Sequence, residues 1–260
     1  MPCKHYSGCL LVARFVFKPL KSPVLPRRSM PMHQDTPTPQ VVDLNMDFSQ
    51  RVVIDSLAMD WQTSPSGTVL RRPLARAFAE TGHATSVVRY LPGASFPRHE
   101  HPLGEEILVL RGVFSDDEGD WGAGMYLRNP PGSGHAPYSQ HGCDLLVKLH
   151  QFDANDTAKV RVSTQTTAWQ PGQGGLKVMP LHQFQGESVA LVHWPAGEVF
   201  QPHRHWGGEE IFVLEGELID EHGRYPAGTW LRSPHLSSHY PRTEQDTLIW
   251  VKVGHLPVSQ

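Results

Sequence analysis

Gly93-Ala94-Ser95-Phe96-Pro97-Arg98-His99-Glu100-His101 returns 104 residues later as Gly197-Glu198-Val199-Phe200-Gln201-Pro202-His203-Arg204-His205. The same offset holds without a gap from Gly93 to Pro137 against Gly197 to Pro241, where 21 of 45 positions are identical. Glu105 and Glu209, Gly112 and Gly216, Arg128 and Arg232, and His135 and His239 are among the pairs. Further out, Val147-Lys148 pairs with Val251-Lys252, and Trp61 and Pro73-Leu74 pair less strictly with Trp169 and Pro180-Leu181. A unit of about 100 residues is too long for a solenoid repeat and reads as domain duplication. The expected layout is one copy over residues 46–152 and a second over 153–260, preceded by an extension over 1–45.

Each copy reads as short strands punctuated by Gly and Pro. Residues 85–91 and 188–194 are rich in Val, Thr, Tyr and Trp, and 106–110 and 210–214 are near-continuous apolar runs. Asp116-Asp117-Glu118-Gly119 and Asp220-Glu221-His222-Gly223 read as polar hairpin turns. Strands at 145–149 and 248–253 close the copies. Only residues 70–79 offer a mild helical period. The fold class predicted is all-β, with two tandem jelly-roll barrels.

In an extended strand, residues two apart face the same side. His99 and His101 therefore share a face, as do His203 and His205. Glu105 joins them if the strand continues through Gly104, and Glu106 then faces away. His135 and His239 each lie 30 residues beyond the glutamate of their copy, a distance one hairpin can fold back. Three neutral imidazoles and a carboxylate suit a divalent first-row ion and leave coordination positions open for substrate, O₂ or water. The candidate metal ligands are His99, His101, Glu105 and His135 in the first copy and His203, His205, Glu209 and His239 in the second. His83, His141 and His222 sit in polar, turn-like sequence and are expected in solvent. His193 and His235 occur in the second copy alone, where roles in supporting a metal ligand or in proton transfer stay open. Tyr90, Phe96, Tyr126, Trp194, Phe200 and Trp230 either line a pocket or fill the core, with core packing favoured.

The chain's composition excludes several function classes. Of 260 residues, 39% are hydrophobic and 19% charged, enough for a core, and the net charge of −3 gives no footprint for nucleic acid. No apolar run is long enough to span a membrane. Three scattered cysteines (Cys3, Cys9, Cys143) do not make a disulfide framework, so a reducing, cytoplasmic setting is expected, with Cys143 a buried inert thiol. Residues 1–34 carry six basic side chains and no acid, and the linker-like Pro31–Pro39 stretch follows. This leader reads as a flexible extension or as translation from upstream of Met30 or Met46, in preference to a transit peptide.

The spacing Gly93-x₅-His99-x-His101-x₃-Glu105-x₆-Gly112, repeated from Gly197 to Gly216, resembles the first motif of the cupin superfamily. Within it, Gly-Glu-Glu-Ile-x-Val-Leu-x-Gly, then Asp-(Asp/Glu)-x-Gly and Ala-Gly-x-x-Leu-Arg-x-Pro-x-x-Ser-x-His, resembles the ChrR-type cupin. That domain forms the C-terminal part of a zinc-binding anti-sigma factor and also occurs alone. The resemblance covers residues 60–255. It implies two barrels, each binding about one divalent ion (Zn, Fe or Mn) through the eight residues named above. Gly122 departs from the second motif, where the other copy has Pro226. The anti-sigma factor also carries an N-terminal helical domain with an H-x₃-C-x₂-C motif; here His5 and Cys9 give H-x₃-C, but Val12 replaces the second cysteine. Sigma-factor binding is therefore not expected. The family includes dioxygenases that cleave β-diketones and hydroxyacetophenones, which implies a metal-dependent small-molecule dioxygenase. The alternatives are a zinc-binding sensing or regulatory cupin without catalysis, and a bicupin whose metals only stabilise it. The expected partner is a small-molecule ligand or substrate. The two barrels are expected to pair within the chain, and homodimerisation is left open.

Overall fold

The computed structural model describes residues 41–78 and 81–258. The readings made on residues 1–40, the Cys3, His5 and Cys9 spacing included, lie outside the described residues. Among these, the single helical turn is a 3₁₀ turn at Ser56–Ala58, and everything else regular is strand. Among the described residues, no helix is long and apolar enough to cross a membrane.

From their second strand onward, two large antiparallel sheets repeat one order. In the first, the strands run Val41–Leu44, Val69–Phe78, Ala84–Tyr90, Cys143–Leu149, Glu105–Asp116, Met125–Asn129, Val160–Ser163. In the second they run Gln170–Pro171, Lys177–Phe184, Glu187–Trp194, Thr247–Val253, Glu209–Glu215, Thr229–Ser233, Val52–Asp55. Short ladders complete each barrel, chief among them Ser133–His135 on His99–His101 and Ser238–His239 on His203–Arg204. The expected helix at 70–79 is instead part of the strand Val69–Phe78. That strand pairs with Ala84–Tyr90 on one side and Val41–Leu44 on the other. Ladder pairing on both edges overrides a weak local period.

The apolar run from 107 to 110 is explained by burial of both faces. Ile107 and Val109 point into the first barrel's own core, whereas Leu108 packs between the barrels with Leu74, Tyr126, Phe212, Trp230 and Trp250. This shared core lies beside a reciprocal pair of buried ion pairs. Lys148 Nζ meets Glu210 Oε2 at 2.5 Å, and Lys252 Nζ meets Glu106 Oε2 at 2.9 Å, with all four side chains almost fully buried. Burial alone would raise Glu106, but Lys252, Arg128 and Lys148 hold it down at about 2.

Two strands cross from one copy to the other. Val52–Asp55 precedes the first copy's strands yet pairs with Thr229–Ser233 of the second barrel. Val160–Ser163 follows the first copy's last strand and pairs with Met125–Asn129 of the first barrel. Each barrel's otherwise open sheet edge is thus covered by a strand from the other half of the sequence, which removes an aggregation-prone edge.

Candidate metal centres

The three imidazoles of each copy are assembled by one short ladder. His99 stands opposite His135, and His203 opposite His239. The carboxylate arrives by a different route from the one strand parity suggests. The chain turns after His101, with the Gly104 N–H donating to the His101 carbonyl at 3.1 Å, and Glu105 opens a new strand. Gly104 has φ +75°, and a Cβ there would lie 2.2 Å from Phe152 Cδ2. Gly208 repeats this at φ +69°, 2.5 Å from Leu256 Cδ1. Only glycine fits so tight a left-handed turn.

In the second copy, ligand atoms of His203, His205, Glu209 and His239 all lie within 4.8 Å of one another. His205 Nε2 is 3.4 Å and His239 Nε2 3.6 Å from Glu209 Oε2, and His239 Nε2 is 3.3 Å from His203 Nε2. In the first copy His99, His101 and His135 form such a group. Glu105 joins its edge, 3.5 Å from His101 Nε2 and 3.4 Å from His135 Nε2.

The far ring nitrogens fix the tautomers. His99 Nδ1 lies 2.9 Å from the Pro97 carbonyl, and His203 Nδ1 3.0 Å from the Gln201 carbonyl. A carbonyl only accepts, so both Nδ1 atoms carry the proton and both Nε2 atoms present lone pairs. His135 Nδ1 is held by Asp116 Oδ2 at 3.2 Å, and His239 Nδ1 lies 3.6 Å from Asp220 Oδ2. Nε2 of His101, His135 and His205 is buried without a hydrogen-bond partner. Lone pairs 3.3 Å apart with nothing between them repel. Two bonds of about 2.0–2.1 Å meeting at a near-tetrahedral angle put their nitrogens about 3.3 Å apart, so the residues fit a divalent ion such as zinc.

The electrostatics agree. Burial pushes His101 down to about 4 and His205 to about 3, keeping both neutral. Burial lowers His135 and His239, but the hydrogen bonds of Asp116 and Asp220 together with the charges of the nearby carboxylates, Glu105 and Glu209 among them, raise both on balance. Burial favours a neutral Asp116, yet the bonds from His135, the Glu118 N–H and Trp121 hold it at about 2. These aspartates orient the imidazoles and keep them basic.

The carboxylates are supported differently. Asn129 Nδ2 donates to Glu105 Oε2 at 2.8 Å, and Arg161 donates to Asn129 Oδ1 at 2.7 Å. Ser233 occupies the matching place in the second barrel, and there burial pushes Glu209 up to about 7. Arg51 instead donates to Asp220 at 3.2 Å and to the Tyr225 hydroxyl at 2.7 Å. Arg51 and Arg161 belong to, or directly precede, the exchanged strands. Each centre is therefore braced by the other half of the chain.

His99, His101 and Glu105 open onto a cavity of about 750 Å³ whose other walls include Val69, Val88, Tyr90, Phe96 and Phe114. At the places of Val69 and Tyr90 the second barrel has the bulkier Leu176 and Trp194, both buried in its core. Of the aromatics weighed from sequence, Tyr126 and Trp230 lie in the core between the barrels, away from this cavity. His83 is not in solvent as expected: the strand that follows it packs against the other barrel, and burial pushes it down to about 3. His141 is exposed and His222 half exposed. His193 packs against Trp169, and His235 against Trp206 with its Nδ1 accepting from the Gly207 N–H. Cys143 is buried and raised to about 11, as an inert thiol should be. Sequence reasoning missed the bracing roles of Asp116 and Asp220, although their identity at the common offset signalled them. It also missed a buried group of Asp156, His182 and Glu187, which spans both halves of the sequence and shows no motif. Arg128 bonds Asp156 at 2.5 Å and Glu187 at 3.1 Å, and Lys252 lies 2.9 Å from Glu187, so arginine and lysine already balance those carboxylates.

Among proteins of curated function, none matches this sequence. Solved structures resemble it in fold. A candidate dioxygenase from Nostoc punctiforme superposes with a TM-score of 0.65 at 16% identity, covering 79% of this chain and 82% of its own. The E. coli protein YlbA gives 0.64 at 12%, covering 82% and 94%. Oxalate decarboxylase from Lactobacillus farciminis, in complex with formate, gives 0.58 at 14%, covering 80% and 87%. At such identities the likeness shows the barrel pair and nothing finer. The sequence model described as the ChrR Cupin-like domain matches twice, over residues 49–153 and 157–257. With the duplicated barrels and their matching histidines, this makes the chain a member of the ChrR Cupin-like domain family.

Proposed function

We propose that this protein is a divalent-metal-dependent enzyme of dioxygenase type acting on a small organic molecule, with about one ion in each barrel and its chemistry in the first. The observation that carries this reading is the opening of His99, His101 and Glu105 onto a largely apolar cavity of about 750 Å³. Cavities of that size suit small-molecule ligands. His99, His101, His135 and Glu105 would hold the ion in the first barrel, and His203, His205, His239 and Glu209 in the second. When bound, such an ion supplies Lewis acidity and open positions for O₂ and substrate. The chain's own residues do the rest. Asp116 and the Pro97 carbonyl hold the imidazoles in the tautomer that presents Nε2, Asn129 orients Glu105, and Tyr90, Phe96 and Phe114 exclude water from the bound substrate. The candidate dioxygenase from Nostoc supports that class of chemistry, and the manganese centres named for Bacillus subtilis oxalate decarboxylase support a divalent ion in such a barrel.

The test is elemental analysis of protein purified without added metal or a histidine tag, followed by oxygen uptake on β-diketones and hydroxyaryl ketones. About two iron or manganese ions per chain with substrate-dependent uptake is the expected result. Two firmly held zinc ions and no uptake after iron reconstitution would replace this reading with a zinc-binding sensing or structural cupin.

A further inference from the structure

A second cavity, of about 470 Å³, lies between the barrels and shares no lining residue with the chamber at the first metal centre. The two use opposite faces of the same strands: Val88 and Ile107 line the chamber, whereas Val87 and Leu108 line the space between the barrels. This space straddles the internal repeat. Val87 and Leu191, Leu108 and Phe212, and Leu110 and Leu214, each pair 104 residues apart, line it from the two halves. Both exchanged strands lead to it, through Leu57 after Val52–Asp55 and Thr164 after Val160–Ser163.

One side of the cavity breaks the repeat. Ladder register equates Arg72 with Met179 and Arg89 with His193. Met179 is fully buried in the core between the barrels, so an apolar side chain serves the fold at that place. Arg72 instead sets a guanidinium beside the apolar walls. Its Cζ lies 4.2 Å from the centre of the Trp61 ring, and its Nη2 donates to the Leu57 carbonyl at 3.3 Å. Its Nε is buried without a hydrogen-bond partner, and no carboxylate among the described residues forms an ion pair with it. The other charges at the cavity are accounted for. Arg89 closes on Asp144 through bonds of 2.6 and 2.9 Å, Arg111 holds the same carboxylate at 3.1 Å, and Glu215 is exposed to solvent.

Stacking on Trp61 occupies a face of the Arg72 guanidinium and leaves its N–H edge, which is where an acceptor binds. Buried donors are nearly always satisfied, so this edge faces a position that a ligand atom should fill. One unmatched positive charge calls for one negative charge, and aliphatic walls call for a hydrocarbon body. We propose that the cavity between the barrels binds an aliphatic monocarboxylate, with its carboxylate on Arg72 and its chain along Val87, Leu108 and Leu110 and their counterparts in the second half. Cavities of this volume suit small-molecule ligands. Arginine pairs with planar carboxylates through two parallel bonds, which gives orientation as well as affinity. The ligand touches both barrels, so binding favours the assembled chain over one whose halves have separated. This site is distinct from both metal centres and does not depend on their occupancy.

Calorimetric titration of the full chain, with its metal, against octanoate and uncharged octanamide tests it. Octanoate is expected to bind at one site per chain, at least tenfold more tightly than octanamide. Acetate, which carries the charge without the chain, is expected to bind at least tenfold more weakly than octanoate. Arg72→Met installs the second half's residue, and Arg72→Gln keeps a hydrogen-bonding side chain. Each is expected to weaken octanoate at least tenfold and to leave octanamide affinity and metal content unchanged. Octanoate is also expected to raise the melting temperature of the wild-type chain and not of either variant. Equal affinity for octanoate and octanamide, no octanoate binding to the wild-type chain, or octanoate affinity unchanged in whichever variant folds overturns the site. Octanoate that binds both variants as it binds the wild type, and is lost when the metal is removed, sits on a metal centre instead and overturns it too.

Discussion

In the first barrel Asn129 donates to the glutamate of the metal-ligand set, and the imidazoles open onto a chamber; in the second, Ser233 stands where Asn129 would, and Leu176 and Trp194 stand where the chamber's Val69 and Tyr90 would. The histidine spacing, the turn glycines and the bracing aspartates are the same in both. Duplication kept the candidate ligand set in both halves, while the residues around the two sets diverged.

The comparison is broken most severely by removing ligands. His101→Ala together with His205→Ala should leave essentially no bound metal, and each alone should remove one ion per chain, as read by elemental analysis. Two ions retained by the double variant would dismiss the ligand assignment. If the halves also differ in function, His101→Ala alone should abolish oxygen uptake, whereas His205→Ala should spare most of it.

The buried ion pairs give the next largest effect. Lys148→Met leaves Glu210 with His255 and the Trp230 indole as its side-chain hydrogen-bond partners among the described residues, and should cost about 3–5 kcal/mol in urea denaturation, the range for an orphaned buried charge. Lys252→Met should cost less, because Glu106 keeps Arg128 and the Tyr126 hydroxyl. Equal losses would mean that the two halves of the interface are energetically alike.

Acidity should separate the centres. Glu209, raised to about 7 by burial, must lose its proton before it can bind an ion. Below pH 7 the second centre's affinity should therefore fall by about tenfold per pH unit beyond any loss at the first, the cost of displacing one proton. His239, also raised, competes in the same direction, but His135 does so in the first barrel too. Ser233→Asn should restore the missing hydrogen bond and narrow the gap, measured by competition with a chromophoric chelator at pH 6 and 8. A gap unchanged by Ser233→Asn would detach it from the Asn129 contact.

The smallest expected effect concerns Leu236, at φ +60° where the first barrel has Gly132 at φ +78°. Leu236→Gly should stabilise the protein by about 0.5–1 kcal/mol, since a non-glycine residue pays for that conformation. A drop in melting temperature would assign Leu236 a packing role that its exposure does not suggest.

The barrels and the histidines were legible in the sequence because both follow local rules: period two in strands, glycine at left-handed turns, and a repeat that makes each motif its own control. Glu105 was placed with the right neighbours for the wrong reason, a turn at Gly104 in place of a continuing strand. The strand at 69–78 was misread in part because its partners are set by tertiary pairing that no local period encodes. Asn129 escaped notice because it matters through a difference between copies, Ser233, and the repeat was read for its identities. The Asp156, His182 and Glu187 group joins distant segments and leaves no trace in spacing.

The strand exchange also dictates an order of assembly during synthesis. Val52–Asp55 leaves the ribosome early but has no edge to pair with until Thr229–Ser233 has been made, about 175 residues later. The first barrel, by contrast, gains its covering strand, and Arg161 to steady Asn129 and Glu105, once the chain has grown a little past residue 163. Contacts between residues so distant in sequence form late because the intervening loop must first be closed. The first centre can therefore mature while the second half is still being translated. The second must wait for nearly the whole chain, and severing the two halves would strip each of a strand that it cannot supply for itself.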